Sequence, residues 1–98
     1  MTLHKDSEQN ETKRLREYAD LAGKRVLEIG CGEGRLTWRY APASFSTVGL
    51  DPDRNALRVA LADRPYNLLK KVCFSNAKSE RLPFRSETFD VVLLAWSL

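Results

Sequence analysis

With 98 residues, 43% hydrophobic and 30% charged, the chain has the composition of one ordinary soluble globular domain, which excludes a disordered or membrane-embedded class. Its net charge of +3 comes from sixteen basic residues scattered among thirteen acidic ones, a solvated surface and not a nucleic-acid-binding stripe. A domain this short buries only about two thirds of the surface it exposes when unfolded, so its core is marginal.

No run approaches the roughly 18 uninterrupted apolar residues of a transmembrane helix, and residues 2–12 lack the apolar centre of a signal peptide. A cytoplasmic protein without a membrane partner is the expectation. Cys31 and Cys73 match neither a metal-ligand spacing nor a secreted disulfide framework, so both are expected to be free thiols and no metal is expected.

In chain order, residues 7–22 set Leu15, Tyr18, Ala19 and Ala22 at helical spacing, with Gly23 as a natural stop. Residues 1–23 thus read as a polar leader and an amphipathic first helix, and residues 24–98 as one further unit. Residues 25–29 form a short β-branched run, read as a buried strand, and a turn with three glycines follows. A short helix over 35–41 stops at Pro42, and 47–50 is the second strand. Pro52 and Asp53 suit the first turn of a helix running to Ala62, with Leu57, Val59, Ala60 and Leu61 expected to face the sheet. Residues 72–75 are strand three, 81–88 a loop carrying Leu82-Pro83-Phe84, and 89–96 strand four. The apolar run Val91-Val92-Leu93-Leu94-Ala95 is nearly continuous, as in strands covered on both faces. Alternating strand and helix therefore predict an α/β fold, an open parallel sheet flanked by helices.

The chemistry concentrates in Val26-Leu27-Glu28-Ile29-Gly30-Cys31-Gly32-Glu33-Gly34, with Asp51 ending the next apolar run. Gly30 permits a tight exit from the strand, Gly32 lets backbone approach a ligand, and Gly34 lets the next helix pack closely. An acidic residue about twenty positions on is placed to grip a ribose. In nicotinamide-binding chains the third glycine comes five positions after the first, and the helix N-terminus faces a pyrophosphate. Here it comes four after, and Glu28 would repel a pyrophosphate while suiting a ligand with a cationic or neutral portion.

These residues resemble the first motif of the class I S-adenosylmethionine-dependent methyltransferases, in their small-molecule branch (methyltransferase type 11-like). Val48-Gly49-Leu50-Asp51 resembles the second motif, and Leu82-Pro83-Phe84 with Phe89-Asp90-Val91-Val92 the third and fourth landmarks. The resemblance covers residues 24–98 in the family's order. It implies a Rossmann-like sheet of strand order 3-2-1-4, truncated after the fourth strand, with residues 24–98 as the N-terminal, cofactor-binding half of a methyltransferase domain.

It also implies S-adenosylmethionine as cofactor, bound by the turn that includes Gly34, with backbone around Gly30, Cys31 and Gly32 near its methionine part. Glu28 would brace that loop or touch the ligand. Asp51 would accept from both ribose hydroxyls, a charge-assisted contact, or serve only as a helix cap. Pro52 would pack on the adenine, Lys78 and Ser79 would offer backbone to its edge, and Ala95 would sit near the methionine end. Lys78 replaces an acidic residue frequent in the family and cannot accept from the adenine amino group.

The implied activity is methyl transfer to a small-molecule acceptor, with nucleic acid disfavoured and no catalytic base assignable. The alternatives are a module that holds S-adenosylmethionine or S-adenosylhomocysteine without turnover and, behind it, an NAD-binding domain. Strand four would leave an open apolar edge. A homodimer or a further C-terminal half is expected to cover it.

Overall fold

The computed structural model describes residues 2–5, 19–77 and 88–95. Among the described residues five strands, β1 (Thr2–Lys5), β2 (Arg25–Ile29), β3 (Ser46–Asp51), β4 (Val72–Asn76) and β5 (Val91–Leu94), form one sheet in the order β1-β5-β2-β3-β4. Every pairing is parallel. Helix α1 (Thr37–Tyr40) follows β2, and α2 (Arg54–Asp63) follows β3. The order β4-β3-β2-β5 is the expected 3-2-1-4, which puts the glycine turn and Asp51 on adjacent central strands.

Side chains alternate along a strand, so Val26 and Leu27 enter opposite halves of the core. On one face Val26 packs with Leu21, Tyr40, Val91 and Leu93; on the other, Leu27 and Ile29 pack with Leu50, Phe89 and Val92. A third cluster joins Ala41, Leu68 and Val72, with Trp38 and Phe74 against it. Burial on both faces is what the unbroken apolar runs of β2 and β5 require. At the start of these strands, Arg25 sends Nε and Nη2 to the two carboxylate oxygens of Asp90, at 3.2 and 3.0 Å. The Arg25 backbone N–H also donates to Asp90, at 2.9 Å.

Several elements depart from the sequence reading. Helix α2 begins at Arg54, and its cap is Asp53, whose carboxylate accepts from the N–H groups of Asn55 and Ala56. The cap role weighed for Asp51 thus belongs to Asp53, two residues nearer the first helical turn. Only Leu57 and Ala60 of α2 are buried, while Val59 and Leu61 are exposed. The helix rests on β3 and the edge strand β4 and presents a narrow stripe to them.

Of the expected first helix, residues 7–18 lie outside the described residues, and Ala19–Leu21 is a single 3-10 turn. The leader supplies an unexpected strand. Thr2–Lys5 runs parallel to Val91–Leu94, so the edge expected to be open is paired by the chain's own backbone. Four residues with a single apolar one, Leu3, carry too little pattern for this to be legible in sequence.

Candidate cofactor site

β2 ends at Ile29 and the chain turns through Gly30, Cys31, Gly32, Glu33 and Gly34 before α1. Gly30, Gly32 and Gly34 all have positive φ, at 82°, 54° and 87°. At Gly32 this left-handed backbone faces open space: among the described residues, its chain neighbours aside, no atom lies within 4 Å of where a Cβ would stand. At Gly34 a Cβ would stand 2.7 Å from the Trp38 indole, so this glycine is needed both for its conformation and for the ring lying on it. Trp38 is in turn met edge-on by Phe74 of β4, with ring centroids 5.7 Å apart.

The loop's donors are largely committed within the protein. Gly30 and Cys31 N–H both point to the Leu50 carbonyl, at 2.8 and 3.1 Å, and Gly34 N–H points to Cys31 O at 3.0 Å. Gly32 N–H donates to Asp51 Oδ2 at 2.9 Å. The other Asp51 oxygen accepts from Asp53 N–H at 2.8 Å. A carboxylate has about four acceptor positions, so two backbone bonds hold it in place and leave others for a ligand. Asp51 thus ties the glycine loop to the turn after β3. Pro52 beside it is exposed.

Glu28 lies behind this loop and is completely buried. Its Oε1 accepts from the Thr37 hydroxyl at 2.7 Å and from the Tyr40 hydroxyl. The carboxylate therefore links β2 to α1 across the loop, the bracing geometry of the two roles open to it. Cys31 is buried as well, and burial, reinforced by the negative charge of Glu28 and Asp51, pushes its thiol far above the usual range. It is a neutral packing group and not a nucleophile. Cys73 is free and exposed.

Gly49 explains how the thiol fits. A Cβ on this residue of β3 would stand 2.8 Å from Cys31 Sγ and 2.8 Å from Phe74 Cδ1. The glycine of the second motif is thus the floor on which the first motif's loop rests. Sequence reasoning assigned no role to Thr37, Gly49 or Asn76. A hydroxyl one helical turn from Tyr40 was the only available signal for Thr37. Ala95 donates its N–H to Ile29 O at 2.9 Å, which brings the end of β5 beside the loop. Lys78 and Ser79, with Leu82-Pro83-Phe84 and Trp96, lie outside the described residues.

A family model for the methyltransferase domain matches residues 26–98. The chain belongs to that family. Among methyltransferase relatives, it is 42% identical over 84 residues to phthiotriol/phenolphthiotriol dimycocerosates methyltransferase 1 of Mycobacterium ulcerans, covering 82% of this chain and 29% of that protein. It is 37% identical over 81 residues to a tRNA U34 carboxymethyltransferase of Ectopseudomonas mendocina, covering 82% of this chain and 25% of the relative. The same methyltransferase fold appears in phosphoethanolamine N-methyltransferase 1 of Haemonchus contortus, solved with phosphoethanolamine and S-adenosylhomocysteine. There the TM-score is 0.76 at 18% identity, over 91% of this chain and 19% of that one. The chain thus spans less than a third of the length of these relatives. No helix among the described residues is long and apolar enough to cross a membrane.

Proposed function

We propose that this chain binds S-adenosylmethionine and, in the whole protein, serves methyl transfer to a small-molecule acceptor. The observation that carries the reading is the direction of the loop's hydrogen bonds. A pyrophosphate site needs N–H groups aimed outward, whereas here those of Gly30, Cys31, Gly32 and Gly34 are all taken by internal acceptors. What remains next to the loop is a carboxylate, Asp51, with acceptor positions to spare. That suits a ligand bringing a vicinal diol and a cationic sulfonium, and it disfavours a dinucleotide.

The cofactor would supply an already activated methyl group for in-line displacement, so the protein's part is binding and orientation. Asp51 would hold the ribose diol, Pro52 would pack on the adenine, and the backbone opened by Gly32 would admit the methionine portion beside Ala95. Glu28, through Thr37 and Tyr40, would keep the loop in register. The relative from Mycobacterium ulcerans favours a small-molecule acceptor, and the tRNA-modifying relative makes RNA the alternative to include in any activity screen.

Titration calorimetry of the chain with S-adenosylmethionine, S-adenosylhomocysteine and NAD tests the reading. The first two should bind and NAD should not; a preference for NAD overturns it. Asp51→Ala should weaken cofactor binding by about 1.5–3 kcal/mol, the scale of hydrogen bonds to a charged group, with the fold intact.

A further inference from the structure

Asn76, the last residue of β4, makes three side-chain hydrogen bonds at the Asp51 turn. Its Nδ2 donates to the carbonyl oxygens of Asp51 and Pro52, each at 2.9 Å, and its Oδ1 accepts from Arg54 Nε at 3.1 Å. The next residue, Ala77, adds a backbone N–H to the same Asp51 carbonyl at 3.2 Å. A carboxamide has one donor end and one acceptor end. Two carbonyls demand the first and a guanidinium the second, so the three partners admit only one orientation of the amide. Aspartate here would set oxygen against oxygen, and a shorter side chain would reach neither carbonyl.

We propose that Asn76, oriented by Arg54, is a positioning residue for Asp51. The clamp fixes the backbone from which the Asp51 side chain projects, while the N–H groups of Gly32 and Asp53 fix its carboxylate. An acceptor held at both ends is ordered before a diol arrives, and the cost of ordering it on binding is removed. The inference rests on Asp51 being the diol acceptor of the proposed function. Because Asn76 is exposed, its loss should cost little stability, and its effect should appear in binding.

The test compares adenosine with 2′-deoxyadenosine, which lacks one of the two hydroxyls, on the full chain and on Asn76→Ala, Asn76→Asp and Arg54→Met. Asn76→Ala should weaken adenosine about tenfold, the scale of one hydrogen bond to a charged group, and weaken 2′-deoxyadenosine much less. Asn76→Asp should do the same, and Arg54→Met should give a smaller loss of the same kind. Equal losses for both nucleosides, or lowered thermal stability with unchanged affinities, would overturn the assignment.

Amide hydrogen exchange of the free proteins gives a readout that needs no ligand. Asn76→Ala should speed exchange at Gly32 and Asp53 while leaving Leu27 and Ile29 as they were. Unchanged exchange at Gly32 and Asp53 overturns the clamp. Failure of the unsubstituted chain to bind adenosine, with exchange altered as expected, overturns the cofactor reading and leaves the clamp supported.

Discussion

The two ends of β2 are held by carboxylates in opposite circumstances. Near the glycine loop Glu28 is wholly buried and takes its hydrogen bonds from two hydroxyls of α1, whereas at the strand's start Arg25 meets Asp90 with side chains 47% and 39% exposed. A buried acceptor without its donors, or donors without their acceptor, costs the full desolvation of the orphaned groups. An exposed ion pair is replaced by water at little cost. The end facing the proposed cofactor is therefore rigidly specified, and the opposite end is only clipped.

Removing the buried acceptor should have the largest effect. Glu28→Ala leaves the Thr37 and Tyr40 hydroxyls buried without it, and should destabilise the chain by about 3 kcal/mol or more in urea unfolding. Tyr40→Phe deletes one hydroxyl at nearly constant volume, and about 1–2 kcal/mol is expected by the same measurement. If Glu28→Ala cost no more than loss of the exposed clip, the contrast between the two ends would be void.

Gly49→Ala comes next. The added Cβ would press on Cys31 and Phe74 together, and about 1–3 kcal/mol of overpacking is expected, with weaker cofactor binding because the loop is lifted from its floor. Calorimetry beside thermal melts would separate the two effects. Unchanged stability and affinity would show that the loop does not rest on β3.

Thiol labelling reports how closed the loop end is without any substitution. Iodoacetamide at neutral pH should modify Cys73 in the native protein and reach Cys31 only on unfolding, because burial keeps the Cys31 thiol protonated. Fast native labelling of Cys31 would mean the loop opens readily.

The smallest effect belongs to the exposed end. Hydrogen bonds from the Arg25 side chain and backbone, with its charge, hold the Asp90 carboxyl down at about 2. A carboxyl in the unfolded chain titrates near ~4, so below that pH the unfolded state takes up more protons than the folded one. The contribution of Asp90 is full above pH ~4 and is lost as pH falls through about 2. Asp90→Asn should flatten this part of the stability profile, with a small loss at pH 7, where the contribution is full, that vanishes as pH falls through about 2. A large loss at neutral pH would show the clip to be structurally dominant.

Much of this site was legible in sequence, because its signals are local. The glycine turn, the strand before it and Asp51 at the tip of the next strand all follow from periodicity and spacing, and the structure puts Gly32 and Asp51 in contact at 2.9 Å. Asp53 was less clear, since Asp51 and Asp53 flank the same proline and both suit a cap. Val59 and Leu61 were expected to face the sheet because helical spacing reports which residues are apolar, not how wide a face the neighbouring strands cover. Thr2–Lys5 offered almost no pattern, and its place beside β5 follows from the edge it meets.

The sequence by itself determined the chain order of β2, α1, β3, α2, β4 and β5, the glycine turn and the acidic residue facing it. Each depends on backbone preferences or on side-chain alternation within a few residues. Only the tertiary structure decided that Glu28 takes hydroxyls from Thr37 and Tyr40, that Gly49 clears room for Cys31 and Phe74, and that Asn76 grips the Asp51 turn from another strand. Those contacts join residues 9 to 25 positions apart; the first forms once α1 has packed back on β2, and the others once parallel pairing has set β2, β3 and β4 side by side.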